Sequence, residues 1–594
     1  MRAAEKSVRA GTRRNHEQLI RRLWQYMGRN RRLIVLAVFL SSAASLLSLY
    51  GPKLSGRAIN AITDGNGVDI PFVLRCAGWM AGCYLLSSVC SYLLQYVMIK
   101  LSRSVAKQMR KDIFDKLTHL PVSYFDNRQV GDIVSIITYD VDTVNQSLAS
   151  DALQILQSTV TVTVSLALML SIAPALVLVF AVTIPITILF TRWLANRVRP
   201  MFRVRSRKLG ELNGLVEEML SGQKTIRAYG MEDAVQQRFE VKNIAAVNAY
   251  TEAEANGTVT GPSVTFINNI SLALVCVFGS LLYLNGKIFL GDLSSFVQYS
   301  RKFSGPINEV ANIFAELQSA FAAAERVFAL IDEEPEKPDI PDALVLEHAE
   351  GDVVIDNVDF SYDKKQPIIK GFDLHAWPGS LIAIVGPTGA GKTTIINLLM
   401  RFYDVDSGEI RVDEHSIRTV TRDSLRRSYA MVLQDTWLFS GTIFDNIAYG
   451  KKDADMDSVT NAAKMAKIHN YIMRLPEGYQ TMLTDNGAGI SKGQKQLLTI
   501  ARAMLLDANM LILDEATSNV DTRTEQQIQA AMRELMKEKT CFVIAHRLST
   551  IKNADNILVM REGRVVEQGT HEELISRPSF YRELYRAQFD AFDD

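Results

Sequence analysis

The chain has 594 residues, too many for one compact core, so at least two domains are expected. Its 65 Lys and Arg residues balance 65 Asp and Glu residues, which argues against polyanion binding and predicts no nucleic-acid partner. Apolar stretches long enough to cross a bilayer, about 20 residues each, recur only before residue 320. The sequence therefore predicts a membrane-embedded first half and a soluble second half.

The first 32 residues form a strongly basic segment. They contain ten Lys and Arg residues and two acids. The positive-inside rule places such a segment in the cytoplasm. Residues 16–30 can form an amphipathic helix that lies on the membrane surface. We therefore expect a cytoplasmic N-terminal segment over residues 1–32 that includes an amphipathic elbow helix.

A transmembrane domain with long cytoplasmic extensions is predicted over residues 33–330. Residues 33–50 and 76–99 carry no charge, and Ala173-Pro174 marks a tight turn between two spans. The predicted spans are 33–50, 72–99, 152–173, 174–192, 264–286 and 290–316.

The sixth span is the least regular, because it contains Asp292, Arg301 and Lys302, which are costly against lipid. A soluble helix is the alternative. An even number of spans is needed, however, to bring residues 101–150 and the C-terminal half to the same side. We therefore predict a sixth span whose polar face lines a water-filled pathway. The candidate pathway residues are Gln298, Arg301 and Lys302.

The membrane domain is expected to end in a short linker. Residues 321–328 continue the sixth helix, and Pro335 and Pro338, set among acidic residues, end it. We assign residues 331–344 to the linker and residues 345–594 to a nucleotide-binding domain.

A phosphate-binding loop of the form GxxxxGK[ST] opens the chemistry of this domain. An apolar run at 381–385 predicts a buried strand before it, and residues 394–399 predict a helix after it. Backbone N–H groups of such a loop surround phosphates, its lysine reaches the β- and γ-phosphates, and its Thr hydroxyl ligates Mg²⁺. The predicted ATP-binding residues here are Gly386, Pro387, Thr388, Gly389, Ala390, Gly391, Lys392, Thr393 and Thr394.

Two acids end a second apolar strand, at 511–515. Asp514 can hold Mg²⁺ through water, and Glu515 can polarise the water that attacks ATP. The two segments together predict that the chain binds and hydrolyses ATP.

Further motifs follow in a fixed order. Tyr362 precedes the phosphate loop, and Gln434 follows it. The remaining candidates are Ser491, Lys492, Gly493, Gln494, Asp521 and His546. This ordered set resembles the nucleotide-binding domain of ATP-binding-cassette (ABC) transporters over roughly residues 345–580. The resemblance implies an α/β P-loop NTPase fold.

The resemblance also assigns roles. It implies that Tyr362 stacks on adenine, that Gln434 joins Thr393 and Asp514 at Mg²⁺, and that Glu515 and His546 are catalytic. Ser491 to Gln494 form the signature that closes over a partner's ATP, and Asp521 lies in the D-loop. A lone histidine at a strand end is more often structural, and Ser491 can also be a helix N-cap.

Six spans followed by the cassette resemble an exporter-type half-transporter. Residues 120–142 and 225–232 look like the two intracellular loops of these exporters, and we place the helices that dock on the ATPase domain near Tyr139–Asp142 and Ala228–Asp233. The expected activity is ATP-driven export of amphipathic molecules, drugs or lipids, across a bacterial cell membrane by alternating access. A nucleotide-gated channel and a peptide exporter are the alternatives. Glu515 argues against the channel, and no protease-sized extension precedes the first span.

The partner is expected to be a second half-transporter. Lys492 stands where the family signature has glycine, whereas Glu515 and His546 are retained. Because each ATP site joins one chain's phosphate loop to the other chain's signature, this combination favours a heterodimer with one degenerate site. A homodimer that tolerates lysine is the alternative.

Overall fold

A computed structural model of the chain describes residues 18–63, 68–364, 366–434, 436–451, 453–484, 487, 489–514, 521–545 and 551–589. It forms two compact units. The helical unit lies within Met1–Thr118 and Val130–Glu333, and the α/β unit within His119–Gln129 and Glu334–Asp594. The predicted fold class, an all-α membrane domain joined to an α/β domain, is confirmed.

The helical unit consists of long helices and a few short ones. Residues 18–28 are also helical. The α-helices between residues 31 and 332 are α1 Arg31–Thr63, α2 Ile70–Leu117, α3 Val122–Asp126, α4 Val130–Ser135, α5 Val141–Ile172, α6 Pro174–Ser221, α7 Gln223–Tyr229, α8 Glu232–Thr258, α9 Thr260–Leu284 and α10 Leu290–Asp332. Of these helices, α3 belongs to the α/β unit.

Five helical stretches of the described residues are long and apolar enough to cross a membrane: Arg31–Thr63, Ile70–Leu117, Val130–Ile172, Pro174–Ser221 and Glu232–Leu284. The first five predicted spans lie within them, apart from one or two terminal residues. The sixth falls on α10, which is not in this set and carries Asp292, Arg301 and Lys302. Helix α10 packs along α1 and α5, which supports a sixth span, but the span stays a prediction.

The first predicted docking helix is misplaced. Residues Ile136–Asp140 form a π-helical turn inside the helical unit, where the Asp140 carboxylate is buried and accepts 2.6 and 2.8 Å hydrogen bonds from Arg326. The short helix that belongs to the α/β unit is α3 instead. Tyr139–Asp142 thus lie within the continuous helical stretch Val130–Ile172 and do not form a separate short helix.

The described residues of the α/β unit form three sheets. The first is antiparallel in the order β2-β1-β4-β5, the second is mostly parallel in the order β12-β11-β3-β10-β9-β6, and the third pairs β7 with β8. Their bounds are β1 Val353–Phe360, β2 Ile369–Ala376, β3 Leu381–Val385, β4 Ser407–Val412, β5 His415–Ser416, β6 Tyr429–Val432, β7 Gly441–Thr442, β8 Met482–Leu483, β9 Met510–Asp514, β10 Thr540–Ile544, β11 Asn556–Arg561 and β12 Arg564–Gly569.

Helices pack on the parallel strands β3, β6, β9, β10 and β11, which are buried on both faces and therefore have continuous apolar sequences. The α-helices of this part are α11 Lys392–Leu399, α12 Arg422–Arg427, α13 Ile443–Ala448, α14 Met456–Met465, α15 His469–Ile472, α16 Lys492–Leu506, α17 Thr522–Met536, α18 His571–Ser576 and α19 Phe580–Phe589.

Strand register brings four strand ends to one edge of the parallel sheet. Ile544 of β10 lies opposite Ile384 of β3 and opposite Asp514 of β9, and Val432 of β6 lies opposite Leu513. The segments that leave β3, β6, β9 and β10 therefore start side by side. Ligands of open α/β sheets bind at this carboxyl edge.

Candidate functional site

The phosphate loop runs from the end of β3 to the start of α11, and its glycines are needed for its shape. Gly389 and Gly391 have φ of +82° and +98°, in the left-handed region that favours glycine. A Cβ added at Gly391 would lie 2.8 Å from Ile369 Cδ1, whereas one at Gly389 would meet nothing within 4 Å. The loop is therefore packed on one side and open at Gly389.

Lys392 is folded back over this loop. Its Nζ donates hydrogen bonds of 2.7 Å to the Gly386 carbonyl and 3.0 Å to the Pro387 carbonyl. Burial lowers the pKa of the Lys392 ammonium, and the nearby Asp514 carboxylate opposes that shift. The cation thus lies between the loop and the end of β9, within reach of an anion held by the loop.

Tyr362 is fixed beside α11. Its hydroxyl donates to Thr394 Oγ1 at 3.2 Å and accepts from Asn397 Nδ2 at 3.3 Å. Its ring meets the Tyr403 ring edge-on, with centroids 4.9 Å apart, and remains 48% exposed. An exposed aromatic ring held at this point can stack on a base. Sequence reasoning missed Asn397 and Tyr403, although Asn397 lies one turn beyond Thr394.

The remaining groups of the predicted ATP site follow the strand ends. Asp514 is the last residue of β9, and Gln434 lies two residues beyond β6. Glu515 and His546 follow β9 and β10 in sequence but lie outside the described residues. Thr393 is exposed in the first turn of α11. The structure therefore brings together the phosphate loop, Lys392 and Asp514.

The predicted signature begins helix α16. Ser491 Oγ accepts from the Gln494 N–H, and Gln494 Oε1 accepts from the Ser491 N–H at 3.1 Å, which is a capping box. The predicted N-cap is thus confirmed. Lys492 is exposed in the first turn, and Gly493 is buried. Asp521 caps α17 by accepting from the Thr524 N–H at 3.0 Å, and this hydrogen bond lowers the pKa of the Asp521 carboxyl.

Comparison with known proteins identifies this arrangement. The description "ABC transporter transmembrane region" matches residues 34–307, and "ABC transporter" matches residues 369–518. A fatty acid ABC transporter ATP-binding/permease protein of Mycobacterium tuberculosis is 42% identical over 526 residues, covering 89% of this chain and 83% of that protein. The chain belongs to the ABC transporter family.

Two further comparisons extend the likeness over nearly the whole chain. An ATP-dependent lipid A-core flippase of Methylobacillus flagellatus is 35% identical over 565 residues, covering 93% of this chain and 94% of that protein. The solved structure of a bacterial Atm1-family ABC exporter with ATP bound aligns with a TM-score of 0.76 and 30% identity, covering 94% of this chain and 98% of that one.

The chain is thus an ABC exporter half-transporter that binds ATP and couples its hydrolysis to transport. It is a multi-pass protein of the cell membrane with a cytoplasmic ATPase domain, and ABC exporters of this kind act as dimers within the membrane.

The candidate pathway residues of this ABC exporter have different surroundings. Lys302 Nζ donates to the Ser48 carbonyl at 3.0 Å and to Ser48 Oγ, and Gln298 Nε2 donates to Ser55 Oγ at 3.3 Å. Both side chains therefore join α10 to α1. Arg301 is exposed. Their assignment to the pathway stays a proposal.

Arg502 is a residue that the sequence analysis missed. It lies on the signature helix α16, and its Nε and Nη1 donate to the carbonyls of Asn446 and Trp437 at 2.8 and 3.2 Å. Its guanidinium also lies 5.4 Å from the Tyr449 ring centroid. Arg502 therefore ties the signature helix to the segment that follows Gln434.

Proposed function

We propose that the chain is one subunit of an exporter that moves amphipathic molecules, drugs or lipids, out of the cytoplasm or the inner leaflet by alternating access. One observation carries this proposal. Residues 119–129, which lie in sequence between two spanning helices, belong to the α/β unit, where the Tyr403 hydroxyl donates to Asp126 Oδ2 at 2.6 Å. Tyr403 also packs against Tyr362 at the candidate adenine site.

This chain of contacts supplies a physical route for coupling. A nucleotide base stacked on Tyr362 would restrict its ring and thereby Tyr403, which holds Asp126 of the loop between α2 and α5. ATP shifts such an equilibrium only through different affinities for the two states. Moving the population from 1:99 to 99:1 takes about 5.5 kcal/mol, which two enclosed nucleotides with their protein contacts can supply.

We assign the chemistry as follows. Thr393, Gln434 and Asp514 offer oxygen ligands, which suit Mg²⁺. The ion neutralises phosphate charge when bound. Lys392 exchanges the loop carbonyls for the β- and γ-phosphates. Glu515 polarises the attacking water.

The other phosphate contacts complete this assignment. We assign His546, which follows β10 in sequence, to the γ-phosphate. Gly386 to Gly391 give the loop the backbone shape that a phosphate group requires.

We further propose that the partner is a different chain. Lys492 is exposed in the first turn of α16, where glycine would allow the partner's nucleotide a closer approach. The altered signature and the intact phosphate loop belong to different ATP sites, so pairing with a second chain leaves one complete and one degenerate site.

Lipid-like cargo is supported by the relatives, whose names specify a fatty acid and a lipid A-core. The test is the ATPase activity of the purified complex in liposomes across amphiphiles and polar solutes. We expect amphiphiles to stimulate hydrolysis and to be transported in the presence of ATP. Stimulation by polar solutes alone would contradict the proposal.

A further inference from the structure

A groove of about 840 Å³ lies between α1 and α2. Its volume falls within the range of roughly 300–1,000 Å³ found for small-molecule pockets. Most of its lining is apolar or aromatic, but two guanidinium groups also line it. The lining includes Leu46, Leu54, Arg57, Phe72, Arg75 and Trp79.

Both arginines lie at the outer end of the groove. Helix α1 starts at the cytoplasmic side, so the turn between α1 and α2 is extracellular, and Arg57 and Arg75 lie within two turns of the helix ends that flank it. The lining of α1 extends from Ala43 to Arg57, about 21 Å at 1.5 Å per residue. One leaflet contributes about 15 Å of hydrocarbon. The groove is therefore somewhat longer than the hydrocarbon of one leaflet, and we infer that its arginine end reaches towards the outer headgroups.

The described lining of the groove is positively charged. None of the described residues that line it is acidic. Asp69, which precedes Arg75 in sequence, caps α2 by accepting from the Phe72 N–H at 3.0 Å. Arg75 Nε donates to the Pro71 carbonyl at 3.4 Å, which leaves other donors of its guanidinium available. Guanidinium groups bind carboxylates strongly and in a fixed geometry.

We propose that this groove holds a single-chain anionic amphiphile, with its carboxylate on Arg57 and Arg75 and its alkyl chain along Leu54 and Trp79. The apolar side chains of α1 and α2 that line the groove, among them Leu46, Leu54 and Trp79, offer the contacts that an alkyl chain requires. The groove is then a binding site for exported cargo at the outer leaflet. This inference rests on the proposed function and narrows its substrate class to long-chain carboxylates.

The test uses Trp79 as a reporter inside the groove. The chain has five Trp residues. A variant that keeps Trp79 and carries Phe at the other four positions is assembled with a Trp-free partner subunit as the full transporter in nanodiscs of zwitterionic lipid. Fluorescence quenching is then titrated with a chain-brominated long-chain fatty acid and with its methyl ester. We expect the acid to quench at a concentration at least tenfold lower than the ester.

Variants that each remove one arginine test whether the two guanidinium groups contact the carboxylate. Arg57→Gln and Arg75→Gln should each raise the half-quenching concentration of the acid about tenfold and leave that of the ester unchanged, which shows that the groove is intact. Lys287→Gln, an outer-side cation that does not line the groove, is the matched control and should change neither value.

Three results would overturn the inference. Equal quenching by acid and ester would remove the charge contact. Arginine-dependent quenching by a brominated zwitterionic phospholipid would make the occupant a bilayer lipid. No quenching in any nucleotide state would mean that the acid does not enter the groove.

The proposed function is judged separately. If amphiphiles stimulate ATPase activity but the arginine variants bind the acid normally, export stands and the groove assignment fails. If no amphiphile stimulates hydrolysis, the proposed function fails, whereas the quenching experiment still tests whether the groove binds the acid.

Discussion

At the scale of single residues, Lys392 offers the most direct test of the ATP site. Its Nζ lies 2.7 Å from a loop carbonyl, so a phosphate needs only to displace that contact. A hydrogen bond from a charged donor is worth about 1.5–3 kcal/mol. We expect Lys392→Ala to weaken ATP binding about 10- to 100-fold in the full transporter, measured by nucleotide titration. Lys537→Ala, on a surface pair with Glu534, is the control; equal affinity in both variants would remove Lys392 from the site.

Glu515 is assigned as the general base. Its neighbour Asp514 ends β9 at the carboxyl edge of the sheet. Glu515→Gln should keep ATP binding but lower the hydrolysis rate by about 10²- to 10⁴-fold, because an amide does not accept the proton of the attacking water. Steady-state ATPase assays and nucleotide titration check the two halves of this statement. A wild-type rate would refute the assignment.

At the scale of elements, the contact between Tyr403 and α3 is expected to carry coupling. Burial and the hydrogen bond to Asp126 raise the pKa of the Tyr403 hydroxyl, so it stays a donor at physiological pH. Tyr403→Phe and Asp126→Asn should keep basal hydrolysis and lose most of its stimulation by substrate.

A double-mutant cycle tests whether these two residues act together. The double variant should be no worse than either single variant. Additive losses would mean that each side chain acts independently of the hydrogen bond between them.

Local sequence patterns predicted the elements whose causes are local. The strand at 381–385 and the cap at Ser491 follow from an apolar run and from a serine placed three residues before a glutamine. Local patterns did not predict the position of the short helix in the first loop, because the burial of Asp140 depends on Arg326. The support of Tyr362 by Tyr403 is likewise a contact between distant segments. A single sequence does not reveal such pairs.

At the scale of the whole molecule, the number of active ATP sites distinguishes a heterodimer from a homodimer. If the partner is a different chain, this chain purified alone should show little substrate-stimulated hydrolysis, and the complex should regain it. Within that complex, Glu515→Gln should by itself abolish nearly all turnover, because a heterodimer of the proposed kind has a degenerate second site. ATPase assays of the chain with and without its partner decide this. Strong stimulated turnover by the chain alone would establish a homodimer.

The discontinuity of the α/β unit has a consequence for biosynthesis. Asp126 and Tyr403 are 277 residues apart, yet they are hydrogen-bonded in the same unit. Ribosomes add about 5–20 residues per second, so Asp126 is made roughly 14–55 s before its partner. During that interval, the part of the α/β unit that contacts α3 through Tyr403 has not yet been synthesised. The α/β unit is therefore completed only after translation has passed well beyond the last membrane helix, and the loop between α2 and α5 lacks its partner surface throughout that interval.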